Sequence, residues 1–126
     1  MAQVKKNKKA STRWQSCRTL VIDEVSMLDP DFFTKLDHVA KEVRRNRRQP
    51  FGGVQLILCG DFFQLPPVKN STFCFEGDTW MKCRLRCINL TTVIRQVGDG
   101  EFVKILNDCR RGGEERGRGF TALARS

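Results

Sequence analysis

Two short apolar runs, each closing on an acidic residue and separated by one amphipathic stretch, constrain this chain most. Thr19-Leu20-Val21-Ile22 runs into Asp23-Glu24, and Val54-Gln55-Leu56-Ile57-Leu58-Cys59 runs into Gly60-Asp61. Short apolar runs of this kind fit strands buried on both faces of a parallel sheet. Between them, Asp29 offers an N-cap oxygen and Pro30 suits the first helical position. Phe32, Leu36, Val39 and Val43 then recur at helical spacing, flanked by Phe33 and Ala40. Pro50-Phe51-Gly52-Gly53 breaks the chain before the second run. Strand, helix, strand is a βαβ unit, so the expected class is α/β with a parallel sheet and a right-handed crossover.

The flanks are less regular. Residues 1–16 are polar and basic and read as a tail or loop. Ile88-Asn89-Leu90 predicts the start of a third strand. Asp99 could cap a last helix bearing Phe102, Ile105, Leu106 and Cys109 on one face. Residues 112–126 are rich in Gly and Arg, lack periodicity and read as a tail, which leaves 17–111 as the folded part.

Asp23 and Glu24 are the first chemical signal. A buried strand ending in two acids delivers them to the carboxyl edge of the sheet, where open α/β folds bind ligands. Nucleotide hydrolysis needs a carboxylate near Mg²⁺ and a group that orients or deprotonates water. Asp23 suits the Mg²⁺ shell, held through water, and Glu24 suits the general base. The plainer alternative, an acidic pair simply solvated where a strand ends, stays open at this point. Gly60-Asp61-Phe62-Phe63-Gln64-Leu65-Pro66-Pro67-Val68 is the second signal, and it lands on the same edge. Gln64 can donate to a γ-phosphate oxygen or to the attacking water, and two prolines stiffen the loop behind it. A rigid turn around a buried aromatic pair is the alternative for this string.

These strings resemble the Pif family of superfamily-one DNA helicases, relatives of the RecD subunit. Val21-Ile22-Asp23-Glu24-Val25-Ser26-Met27-Leu28 is similar to their Walker B motif, and the string from Pro50 to Val68 to their motif III. The likeness continues through Phe73-Cys74-Phe75-Glu76-Gly77-Asp78-Thr79-Trp80 and Leu90-Thr91-Thr92-Val93-Ile94-Arg95-Gln96. It implies the second half of the first RecA-like motor domain of an ATP-dependent DNA helicase unwinding 5′ to 3′. It also implies that Arg95 reaches the γ-phosphate as an arginine finger does, with Gln96 beside it. The implied ligands are ATP with Mg²⁺ and single-stranded or forked DNA. Association with the family adds repair, recombination, telomere and other genome maintenance in the nucleus or the mitochondrion. Trp80, Phe73 and Phe75 are expected to be core, not base-stacking platforms, and Ser26 and Met27 only to shape the loop.

A working motor also needs G-x-x-x-x-G-K-[S/T], whose amides cradle phosphates. The nearest string, at 112–119, has Arg118 for the lysine and Gly119 for the hydroxyl residue, and it follows a helix. It does not qualify. The expectation is therefore a fragment that works only with the remaining helicase segments, the P-loop half and the second RecA-like domain. Without the phosphate-loop strand, the strand carrying Asp23 should show an unpaired edge. A non-catalytic nucleic-acid-binding or regulatory fragment is the competing reading, and another kind of P-loop ATPase a third.

Charge bears on partners. The formal net charge is +9, and six Lys/Arg fall within residues 1–22, where there is no acid. Five more lie within 41–50 against Glu42, and five within 110–126 against Glu114 and Glu115. Basic blocks suit a polyanion, although Arg44, Arg45, Arg47 and Arg48 would also complement a helix carboxyl end. The six cysteines form no C-x-x-C pair, and His38 is the single histidine, so reduced structural thiols are expected over a metal site. The sequence has no run of about 18 apolar residues of the kind that spans a membrane.

Overall fold

The computed structural model describes residues 7–68, 72–92, 94 and 100–111. The chain divides into two units, 1–85 and 86–126.

The first unit is built on the expected βαβ element. Strand β1 (Thr19–Ile22) pairs in parallel with β2 (Gln55–Leu58), in the register Thr19↔Gln55 to Ile22↔Leu58. Helix α2 (Pro30–Val43) connects them, and Asp29 caps it by accepting from the Phe32 N–H at 2.7 Å. The buried face of α2 is not the stripe its hydrophobic spacing suggested. Phe33, Asp37, Ala40 and Val43 are buried, while Phe32 is 48% exposed. The face is rotated because Asp37 belongs to it. One carboxylate oxygen of Asp37 accepts from the Phe51 N–H at 2.7 Å, and the other pairs with Lys41 at 2.7 Å. A count of apolar residues skips an aspartate whose charge is satisfied inside.

Phe51 lies in the 3-10 turn Pro50–Gly53 with φ 48, a left-handed conformation that a side chain adopts at a cost. Burial holds it there: its ring is fully buried, 5.0 Å from that of Phe33. Gly52 follows at φ 62, and a β-carbon on it would meet the Ala40 carbonyl at 2.9 Å, so the turn packs directly on α2.

The strands depart from the expectation of burial on both faces. Leu20, Ile22, Leu56 and Leu58 pack on the core, but Val21 and Ile57, paired in register, are 59% and 43% exposed. Alternation of side chains leaves one face open wherever no layer covers it. Among the described residues the sheet has these two strands, so the outer edge of β1 is unpaired as expected.

Helix α1 (Lys8–Ser16) forms where a tail or loop was expected. Its basic composition concealed local signals: Asn7 caps it by accepting from the Ala10 N–H, and Trp14 packs on the core. Helix α3 (Asp78–Cys83) closes the unit. Trp80 lies 5.6 Å from Phe33, and Phe62 touches Phe73, Phe75 and Trp80 edge-on, so these aromatics are packing groups as expected.

In the second unit, helix α4 (Gly100–Arg111) forms where predicted. Phe102, Ile105, Leu106 and Cys109 on it are exposed. The third strand expected at 88–90 is not formed; Ile88 and Leu90 are 73% and 92% exposed. A strand requires a neighbour's ladder, and among the described residues none meets it. The cap at Asp99 and the tail at 112–126 lie outside the described residues.

Candidate nucleotide-hydrolysis site

Both signal strings leave the same edge of the sheet. Ile22 and Leu58 are register partners, so Asp23-Glu24 and Gly60-Asp61 start from neighbouring strand ends. The ladder extends past the strands: Cys59 donates to the Ile22 carbonyl and accepts from the Val25 N–H, each at 2.9 Å. Glu24 makes the second of these bonds possible. It sits at φ 51, ψ 44, and this left-handed residue turns the chain so that Val25 reaches back to Cys59. Holding a side-chain-bearing residue there costs on the order of 1–2 kcal/mol, a cost often met at functional positions. Asp23 contributes too, its Oδ1 accepting from the Glu24 N–H at 2.9 Å. Both acids are exposed.

Gly60 locks the two loops together. A β-carbon there would meet the Val25 nitrogen at 2.9 Å and its Cγ1 at 3.1 Å, so only glycine allows the approach. Beneath the acid loop, Val25 and Ser26 are buried, and the buried Cys74 thiol donates to the Val25 carbonyl at 3.5 Å. Burial pushes the Cys74 thiol up to about 11 and keeps it neutral. The 3-10 turn Cys74–Glu76 thus braces the acid loop from below.

Gln64 is exposed, and its position is set by Asp61. Asp61 accepts from the Gln64 amide side chain at 3.0 Å, from the Phe63 N–H at 3.1 Å and, through its carbonyl, from the Gln64 N–H at 3.0 Å. Sequence reasoning gave Asp61 no part of its own. The signal was available, since an Asp side chain commonly accepts from the backbone two residues on, as Asp61 does from Phe63. Asp23, Glu24 and the Asp61–Gln64 turn therefore share the carboxyl edge. Arg95 and Gln96 lie outside the described residues.

The donor set fits Mg²⁺, which binds through one or two carboxylates and keeps several waters. One oxygen of exposed Asp23 is taken by the Glu24 N–H, which leaves the other for the ion's water shell.

A family model for PIF1-like helicases matches residues 1–116. The chain belongs to the PIF1-like helicase family. It is 44% identical, over 98% of its length, to the ATP-dependent DNA helicase PIF1 of Candida albicans and to that of Saccharomyces cerevisiae. It is 47% identical to the human protein over 79% of its length. The chain spans about 15–16% of the length of these relatives. Among solved structures, the Pif1 helicase from Candida albicans matches with a TM-score of 0.84 and 46% identity, over 99% of this chain and 29% of that one. A Bacteroides Pif1 in complex with ADP-AlF3 and single-stranded DNA matches with a TM-score of 0.77 and 31% identity, over 83% of this chain and 27% of that one. The α/β class and the parallel pairing are those of PIF1-like helicases, and ATP-dependent DNA helicase activity is the activity of the family.

Proposed function

We propose that this chain forms the metal-side and water-side half of the ATP site in a DNA helicase motor. The observation that carries this reading is the junction of the two loops, Val25 to Cys59 and Gly60 against Val25, which fixes Glu24 and Gln64 on one edge. In this reading Asp23 holds the water shell of Mg²⁺, which neutralises phosphate charge when bound. Glu24 accepts a proton from the attacking water, and its left-handed backbone fixes where the carboxylate starts. Gln64, held by Asp61, orients the same water or senses the γ-phosphate. Arg95 stabilises the charge that develops on the transferred phosphoryl group; its part rests on the family match.

The phosphate cradle is supplied by another segment, because no G-x-x-x-x-G-K-[S/T] string occurs in the 126 residues. The substrates that follow are ATP and single-stranded or forked DNA. That choice is supported by the Bacteroides Pif1 solved in complex with ADP-AlF3 and single-stranded DNA, and by a Pif1 structure that addresses DNA unwinding at forked double-stranded DNA. Translocation 5′ to 3′ and work in repair, recombination and telomere maintenance, in nucleus or mitochondrion, rest on family association alone.

Glu24→Gln in the full-length protein tests the reading. ATP binding should persist while hydrolysis falls by about 10²–10⁴-fold, and Arg95→Ala should cost a similar or larger factor. Near-normal turnover in Glu24→Gln, or steady hydrolysis by residues 1–126 alone, would overturn it.

A further inference from the structure

The four arginines that close α2 are of two kinds. Arg44 turns inward: its Nε donates to the Gly52 carbonyl, and one terminal nitrogen reaches the carbonyls of Trp14, Gln15 and Cys17 at 2.8–2.9 Å. Arg45, Arg47 and Arg48 are exposed and, with Glu42 and Asn46, line a shallow open concavity. Arg47 pairs with Glu42, whereas Arg45 and Arg48 make no ion pair or hydrogen bond among the described residues.

Arg45 has an unusual backbone. It sits at φ 56 just past the helix, where the Asn46 N–H closes back on the Lys41 carbonyl at 3.1 Å. Glycine is the residue that fills this helix-ending position without strain. Complementing the helix dipole does not explain an arginine here, since Arg47 and Arg48 would serve that purpose beside a glycine. A strained backbone that retains a free guanidinium points to work done by the side chain.

A second arginine repeats the backbone pattern. Arg84 ends α3 at φ 48. Helix α3 runs beside α2 in the same sense: Thr79 meets Thr34 at 2.8 Å, and Cys83, one turn on, feels the charges of Asp37 and Lys41. Both helices therefore end at the amino edge of the sheet, where the Arg18 carbonyl accepts from the Gln55 N–H. Asp23, Glu24 and Asp61 occupy the opposite edge.

We propose that this amino edge, centred on Arg45, Arg47 and Arg48, binds the phosphate backbone of nucleic acid, separately from the nucleotide edge. Guanidinium groups match phosphates bidentately and stay effective when exposed. The concavity has no aromatic or aliphatic lining of the kind that anchors a protein partner. The inference rests on charge and backbone geometry and is independent of who hydrolyses ATP.

Fluorescence anisotropy with a labelled single-stranded oligonucleotide and with its duplex, without nucleotide and across 50–200 mM salt, tests it in the full chain. The triple variant Arg45→Gly, Arg47→Gln, Arg48→Gln should bind at least one of the two about tenfold or more weakly, with a salt slope smaller by about 2–3. A charge-matched variant, Lys5→Gln, Lys6→Gln, Lys9→Gln, should lose clearly less. Equal losses would mean that net charge alone matters, and unchanged binding that the edge is idle; either overturns the proposal. Selective capture of polyglutamate in place of DNA would also overturn it. Arg45→Gly alone separates folding from binding, because it should raise the melting temperature while weakening the oligonucleotide. A higher melting temperature with undiminished affinity would show that Arg45 is merely tolerated, and the proposal falls.

Discussion

The Phe51 N–H donates to the buried carboxylate of Asp37 at 2.7 Å, tying the turn that starts β2 to the middle of α2. Asp37 is 6% exposed, and its second oxygen pairs with Lys41, so its charge is satisfied on both sides.

Removing that carboxylate strands a buried donor and leaves a strained Phe51 without its tether. Asp37→Ala should therefore destabilise the fold by about 3–5 kcal/mol, the range for breaking a buried charged pair. Lys41→Met removes the less buried partner, whose side chain is 23% exposed, and leaves the Phe51 bond to Asp37 in place, so it should cost less than Asp37→Ala. Denaturant midpoints for the two variants check the ordering. Equal losses would mean that the Phe51 bond contributes little.

Asp37 also shows what was legible in the sequence. The βαβ order, the Asp29 cap, helix α4 and the acid-bearing strand end all follow from local signals: periodicity, cap chemistry and apolar runs. The rotated face of α2 does not, because it depends on a hydrogen bond between residues 37 and 51 that no periodicity count contains. Helix α1 was concealed by its charge, and the part of Asp61 depends on the turn it forms with Gln64, which its position alone does not show. The expected strand at 88–90 failed for a different reason: strand formation is a property of pairs, and propensity describes only one partner.

The buried thiols set a pH limit. Burial raises Cys74 from 9.0 to about 11, and burial followed by the Asp37 carboxylate does the same for Cys83, against the opposing charge of Lys41. A raised acid pKa means that the folded state holds its proton more tightly than the unfolded state. Stability from this source is complete below pH 9 and is lost as pH rises from about 9 to 11, at up to about 1.4 kcal/mol per pH unit for each thiol. Chemical denaturation at pH 8, 9.5 and 10.5 should show the decline, and Cys74→Ala should flatten it. At pH 7.5 an alkylating reagent should modify exposed Cys59 well before Cys74.

Gly60 is the tightest point of the site. Gly60→Ala places a methyl group 2.9 Å from the Val25 nitrogen, so the Val25–Cys59 hydrogen bond must lengthen or break. Overpacking of this kind costs about 1–3 kcal/mol. Its sharper effect should be on catalysis, because the contact sets the spacing between the Glu24 and Gln64 loops. In the full-length protein, kcat for ATP should fall by about tenfold or more with little change in ATP affinity. A loss of stability with kcat preserved would show that the junction is structural only.

Arg44 joins α1 to α2 and to the Pro50–Gly53 turn. Its guanidinium bonds the carbonyls at the end of α1, just past α1 and in the Pro50–Gly53 turn, while the Gln15 amide returns to the Val43 carbonyl at 3.4 Å. Arg44→Ala leaves those partly buried acceptors without a charged donor. Such bonds are worth about 1.5–3 kcal/mol each and do not add, so a total loss of about 2–4 kcal/mol is expected. Arg44→Lys keeps the charge but replaces a planar fork with a single ammonium that cannot reach the separate carbonyls together. It should recover less than half of the loss. The decisive reading is local: hydrogen exchange in α1 should rise far more than in β1 or β2, because only Trp14 packing and the long Gln15–Val43 bond would then hold that helix to the core. Uniform exchange across the unit would mean that Arg44 supports the whole fold evenly and that α1 stands without it.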